Sequence, residues 1–219
     1  MQLKKPTIIA LDGPAASGKG TLARKLAEHF NLALLDTGAL YRAVGLGVLK
    51  AGGNPENEKD ALNAASKLNE EILKSPEIRG ESTGAAASKV AAMPAIRQKL
   101  LEYQRNFAVN PPLGKIGTIL DGRDIGTVIC PDAPYKIFIT ADVETRAKRR
   151  FLEEFGPDGS NDDYQKILFD LKARDERDMN RSEAPLKPHE NAYLLDTSNS
   201  SIEAVFEAAV KYVSGKNVK

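Results

Sequence analysis

The chain has 219 residues, 42% of them apolar and 28% charged, and its 31 basic and 30 acidic side chains leave a net charge of +1. This length suits one globular domain with insertions, the charge balance argues against a non-specific nucleic-acid binder, and a single cysteine, Cys130, excludes an internal disulfide. No apolar run approaches the ~20 residues needed to cross a bilayer, and the run after Lys4 and Lys5 is too short for a secretory signal, so a cytoplasmic protein with no membrane partner is expected. No nucleic-acid partner is expected either, and a monomer is the expected state, though none of these features fixes it.

The first apolar run, Thr7–Asp12, leads into Gly13-Pro14-Ala15-Ala16-Ser17-Gly18-Lys19-Gly20-Thr21 and then a helical pattern through Leu22, Leu26 and Phe30. Strand, glycine-rich turn and helix in this order make a P-loop. Glycines let successive backbone N–H groups turn toward one anion, the new helix adds its positive end, and Lys19 brings a full charge to the outer phosphates. Four more short apolar runs follow, at Leu32–Asp36, Ile116–Asp121, Tyr135–Thr140 and Ala192–Asp196. All five are nearly continuously apolar, which suits a parallel sheet covered on both faces. In such sheets ligands sit beyond the carboxyl ends of the strands. Asp12, Asp36, Asp121 and Asp196 are therefore expected to rim one crevice, with a helix-capping role as the alternative for Asp12 and Asp196.

Thr37 reads as an N-cap, with Tyr41 and Arg42 one turn later beside the crevice. Arg42 is either a solvated side chain or a clamp for a second phosphate, which a planar guanidinium suits. Residues 51–84 read as an inserted subdomain, broken by Gly52-Gly53-Asn54-Pro55, Ser75-Pro76, Gly80 and Gly84. A helix from about Pro94 has Ile96, Leu100, Tyr103 and Phe107 as its apolar stripe, with Arg97 and Arg105 on the polar flank. The third run opens into Asp121-Gly122-Arg123-Asp124, a charged loop at the crevice. Arg146, Lys148, Arg149 and Arg150 crowd one helix, an arrangement that either a polyanion or solvent would relieve. The stretch from Gly156 to Asp162 is polar and turn-rich, as a lid is. The next helix starts apolar at Tyr164, Ile167 and Leu171 and continues at the same spacing into Arg174, Asp178 and Arg181. Charges on an inward face must pair with one another or meet a ligand. Asp196 to Asn199 are expected to cap a last helix starting near Ile202. With no Cys/His cluster, a zinc site is not expected.

Taken in order, G-P-A-A-S-G-K-G-T, D-T-G-A-L-Y-R, A-S-K-V-A-A-M-P-A-I-R, D-G-R-D-I-G-T, P-D-A-P-Y-K-I-F, R-A-K-R-R and R-D-E-R-D-M-N-R resemble the bacterial-type cytidylate kinases, a P-loop nucleoside monophosphate kinase family, over nearly the whole chain. The G-K-G-T register is also similar to that group rather than to GTPases. The resemblance implies an α/β P-loop fold of three layers, with a five-stranded parallel sheet, helices on both faces, an acceptor-binding insert and a small lid. One domain over 1–219 would divide into a core at about 1–36, 111–150 and 185–219, an insert at about 37–110 and a lid at about 151–164. It further implies ATP as co-substrate with Mg2+, and CMP or dCMP as acceptor. Gly13 to Thr21 would hold the ATP phosphates. Arg42, Arg123 and Arg181 would grip the acceptor's phosphate, Arg174 and Asp178 would contact its ribose, Ser88, Arg97 and Asp124 would read its base, and Thr37 and Tyr41 would also belong to the substrate-binding set. Lys19, Arg146, Arg149 and Arg150 would act on the migrating phosphoryl group, and Asp121 would stand on the magnesium side, through water or directly. The segment between Leu68 and Ser88 is short for that family, lacking most of a strand-rich insert. Rival readings are a kinase for another small acceptor, such as shikimate, uridine or dephospho-coenzyme A, and a GTP-binding switch. The second lacks an Asn-Lys-x-Asp guanine motif.

Overall fold

Residues 6–215 are described by the computed structural model, and Lys4 and Lys5 lie outside the described residues. In chain order the elements are β1 (Thr7–Asp12), α1 (Lys19–His29), β2 (Ala33–Asp36), α2 (Thr37–Lys50), α3 (Glu58–Ser66), α4 (Glu70–Lys74), α5 (Glu81–Val90), α6 (Pro94–Val109), β3 (Gly117–Gly122), β4 (Tyr135–Thr140), α7 (Val143–Phe155), α8 (Asn161–Asn180), β5 (Tyr193–Asp196) and α9 (Ile202–Gly215). The five strands form one parallel sheet in the order β2-β3-β1-β4-β5. All five apolar runs are strands, with starts shifted by at most one residue.

β1 lies at the centre and is buried on both faces, which is why it carries no polar residue between Ile8 and Leu11. Ile9 and Leu11 face a layer made by Leu22 and Leu26 of α1 and by Val205, Ala209 and Val213 of α9. Ala10 faces the opposite layer, with Leu120, Ala108 of α6 and the single π-helical turn Ile125–Ile129. Each fully buried leucine or isoleucine here contributes roughly 1.5–3 kcal/mol. The helices α2 to α6 fall between β2 and β3 and share their own cluster, built on Leu40, Val44 and Val48 with Val90, Ile96 and Leu100. α7 and α8 pack together through Ala147, Ile167 and Leu171 and reach Ala15 in the turn after β1.

Several local expectations need correction. The N-cap of α2 is Asp36, whose carboxylate accepts from the Ala39 amide, while Thr37 is the first helical residue and spends its hydroxyl on the Asp121 carbonyl. Ser201, not the Asp196–Asn199 stretch, accepts from the Ala204 amide at the start of α9. On α6 the buried row includes Arg97 and Gln104, and Tyr103 is 52% exposed. The inward row of α8 runs Ile167, Leu171, Asp175, Asp178. A step of four from Leu171, rather than three, keeps the face buried. On either side of the polar stretch between α7 and α8, the Phe151 ring stacks on Phe155 and meets Tyr164 edge-on.

Candidate functional site

The turn after β1 is built for an anion. Gly13 has φ +150°, and a Cβ there would overlap the Ile139 carbonyl oxygen, so the backbone passes against β4 as no other residue could. Gly18 (φ 89°) opens α1 without any side-chain cap, whereas α2, α3 and α7 are capped by Asp36, Asn57 and Asp142. The first amides of α1 have no side-chain cap, as in α5 and α6, and here they follow a glycine-rich turn with room for an anion. Lys19 is buried, with Nζ donating to the Pro14 carbonyl at 2.7 Å. Burial, then the nearby Arg123 and Arg174 cations, push its pKa down, and Asp121 opposes them. Ser17 turns inward to the same Pro14 carbonyl. Thr21 is exposed, and its hydroxyl accepts from Arg24.

Beyond the carboxyl ends of β1, β2 and β3 lies a cleft of about 210 Å³. Ala15, Ala16, Lys19 and Asp121 line it together with Thr37, Tyr41, Arg42, Ser88, Arg97, Arg123, Asp124, Arg150, Arg174, Asp178 and Arg181. Among the lining residues, seven basic side chains face four acidic ones, an excess that favours anionic ligands. Arg42 is held by Asp36 at 2.5 Å, and Arg123 donates to Asp178 at 3.0 Å. Although burial pushes the Asp178 carboxyl up, Arg123, Arg174 and Arg181 hold it below its ordinary value. Burial and Arg123 bring Arg174 down to about 10. Arg97 forms a buried ion pair with Asp124, and its guanidinium stands 5.7 Å from the Tyr41 ring centre. Arg181 Nη2 is 3.6 Å from Asp124 Oδ1, too far for a hydrogen bond. Among the described residues, Arg42 Nε, Arg174 Nε and Arg181 Nη2 are buried donors with no hydrogen-bond partner. Three guanidinium side chains that line one cavity and each keep an unpaired donor fit an oxyanion ligand.

Other expected residues lie apart from the cleft. Arg146 is bidentate to Asp175 and also donates to the carbonyls of Ala141 and Ala15. Arg149 donates to the hydroxyl and carbonyl of Thr197, and that hydroxyl lies 3.2 Å from the Ser17 carbonyl. These two arginines thus grip the back of the P-loop. Because Asp175 holds a buried guanidinium, Asp175→Asn should cost on the order of 2 kcal/mol and lower Tm by about 5 °C, read by thermal denaturation without ligands.

Two of the four strand-end aspartates do not rim the crevice. Asp196 is exposed and accepts from the Ser198 amide. Asp12 is buried behind the β3 loop, where it accepts from the Ile125 and Gly126 amides. Burial raises its pKa from 3.8 to about 7 despite those bonds. Between these two values the folded chain holds the proton more tightly than the unfolded chain does. This group's contribution to stability is therefore full below about pH 4 and lost as pH rises through about 7. In calorimetry from pH ~5 to ~7.5, Asp12→Asn should remove that component, giving a Tm that declines less with pH than the wild type's.

Sequence reasoning missed Asp36 as the partner of Arg42, Asp175 as the partner of Arg146, and Arg177, which donates to the Ser88 hydroxyl at 3.2 Å. The place of Asp175 on the buried face was readable from its spacing of four after Leu171, but its pairing with Arg146 was not. Ser88 and Arg177 are 89 positions apart, and no local pattern joins them.

The family model described as Cytidylate kinase matches residues 9–215. A cytidylate kinase of Bartonella bacilliformis is 53% identical over 204 residues, covering 93% of each chain. One from Brucella suis biovar 1 is 52% identical over 208 residues, covering 95% of this chain and 93% of that protein. Among solved structures, an uncharacterized protein from Eubacterium ventriosum superposes with a TM-score of 0.56 at 19% identity, over 95% of this chain and 98% of that one, a likeness of fold alone.

Proposed function

The chain belongs to the cytidylate kinase family, and from that premise we propose that it transfers the γ-phosphoryl group of ATP to CMP or dCMP, giving ADP and CDP or dCDP. The observation that carries this reading is one cavity lined both by P-loop residues, Ala15, Ala16 and Lys19, and by the guanidinium side chains of Arg42, Arg123, Arg174 and Arg181. Two anionic tails laid end to end would bring an acceptor phosphate oxygen in line with the γ-phosphorus. That oxygen, already anionic at neutral pH, forms the new P–O bond as the bond to the β–γ bridging oxygen breaks and ADP departs. No general base is needed. Catalysis comes from alignment and from neutralising charge on the migrating group.

Gly13 to Thr21 hold the donor phosphates, and Lys19 stands at the outer ones. Arg42, Arg123 and Arg181 take the acceptor phosphate, with Thr37 and Tyr41 beside them, and Arg174 and Asp178 take its sugar. Asp124, with Arg97 and Ser88, reads the base: cytosine presents an exocyclic amine donor, for which a carboxylate is the complement. Arg150 lines the cleft and pairs with Glu154 in the turn before residue 156, so lid closure would carry it onto the transferring phosphoryl. Arg146 and Arg149 join it only by exchanging Asp175 and Thr197 for phosphate oxygens.

Among the described residues, no group of three or more His, Cys, Asp or Glu side chains could hold a metal ion. Asp121 is a half-buried carboxylate whose Oδ2 lies 3.7 Å from where a Gly20 Cβ would stand, beside the P-loop. One carboxylate with phosphate oxygens and water is a common Mg2+ setting, so Asp121 fits an ion that travels with ATP. The ion would supply positive charge to the β- and γ-phosphates. No described helix is long and apolar enough to cross a membrane, and a monomer acting in the cytoplasm accords with the reading.

The test is a coupled ADP-release assay across the common nucleoside monophosphates, with and without a chelator. CMP and dCMP should be the best acceptors, and chelation should abolish turnover. Equal rates with shikimate or uridine, or tight ATP binding with no transfer to any monophosphate, would overturn the assignment.

A further inference from the structure

Asp12 ends β1 and directly precedes Gly13, yet it is not among the cleft-lining residues. Its two carboxylate oxygens each accept one backbone amide, from Ile125 and from Gly126, both at 2.8 Å and both buried. These amides open the π-helical turn Ile125–Ile129, whose own N-cap residue, Asp124, makes no side-chain capping bond. Asp12 therefore caps that turn from 113 positions away. In the sheet, Asp12 is also in register with Gly122. The stretch Gly122–Gly126 is thus fastened at both ends to one residue, at one end through strand pairing and at the other through the carboxylate. Between the two fastenings sit Arg123 and Asp124, whose side chains enter the cleft.

We propose that Asp12 is a positioning residue for acceptor selection, fixing the Arg123–Asp124 loop at a set distance from the P-loop that begins one residue after it. The proposal rests on the reading of Arg123 and Asp124 as acceptor-binding groups. Asp12 touches no nucleotide itself and acts through the two amides. Its carboxylate accepts at both oxygens, whereas an asparagine would accept at one and set an NH2 group against the other amide. The loop should then relax toward solvent, while the P-loop, shaped by Gly13 and Gly18, keeps its form.

The experiment compares wild type with Asp12→Asn in three readouts: ATP binding to the enzyme alone, steady-state kinetics with CMP and with UMP, and exchange of the Ile125 and Gly126 amides. The expected result is a CMP KM raised ~10-fold, a smaller preference for CMP over UMP, and an ATP Kd within ~2-fold of wild type. Combined with Asp124→Asn, the Asp12→Asn penalty on CMP should shrink, as it does when two residues act through one contact. A folded Asp12→Asn enzyme with unchanged CMP KM and selectivity overturns the proposal. So does an equal loss of ATP and CMP binding, which would mark general support of the sheet end. If Asp12→Asn does not fold, Asp12→Glu, which keeps both acceptors but displaces them by one methylene, is read by the same criteria. A wild type that phosphorylates no monophosphate sinks the CMP assignment instead. The exchange data then decide the positioning role without turnover: protection that persists in the variant refutes it.

Discussion

Lys19→Ala should lower kcat by ~10²-fold or more while leaving the folded structure in place. The side chain is buried, and its one hydrogen bond, to the Pro14 carbonyl, lies within the P-loop itself. Neither the sheet nor the α1 packing through Leu22 and Leu26 depends on it. In the absence of nucleotide the ammonium is disfavoured by burial and by the Arg123 and Arg174 cations. Removing it relieves that repulsion and loses one hydrogen bond, so Tm should shift by no more than a few degrees. The catalytic loss has a different origin. As the bridging bond breaks, charge builds on the phosphoryl group and on the departing ADP, and in the proposed reading Lys19 would bring its ammonium to them. Single-turnover rates at saturating ATP and CMP separate this loss from weaker binding. A rate near wild type in folded Lys19→Ala would remove Lys19 from catalysis.

The second large effect concerns the base. Asp124→Asn should reduce kcat/KM for CMP by on the order of 10²-fold and for UMP by much less, so that the preference between them shrinks at least tenfold. A carboxylate accepts from the cytosine amine and repels the uracil oxygen at the same place, whereas an amide can turn to suit either. Asp124 also neutralises buried Arg97. Asp124→Ala would leave that guanidinium unpaired at a cost of roughly 3–5 kcal/mol, so a lowered Tm is expected there and the alanine variant alone would confuse recognition with stability. Parallel kinetics with CMP and UMP on the asparagine variant decide the matter. Unchanged selectivity would take Asp124 out of base recognition.

Read from sequence alone, the local layer of this protein was legible. Near-continuous apolar runs marked all five strands: β1 at the centre is buried on both faces, and the edge strands β2 and β5 are apolar although only partly buried. The glycines and Lys19 marked the phosphate loop because close backbone approach to an anion demands them within a few residues of each other. The family resemblance rested on motifs of the same kind, each local, and the relatives agree with it over almost the whole chain.

What the sequence left open was pairing. Arg146 and Asp175 are 29 positions apart, Arg97 and Asp124 27, and Arg123 and Asp178 55. A charge in a sequence carries no mark of which opposite charge it will meet, since Coulomb attraction depends on distance in space and burial, and both are set when the helices pack. The strand-end aspartates show the same division. All four looked alike along the chain, and only the order β2-β3-β1-β4-β5, with the β3 loop folded back over β1, turned Asp36 and Asp121 toward the cleft, buried Asp12 against two amides and left Asp196 in solvent.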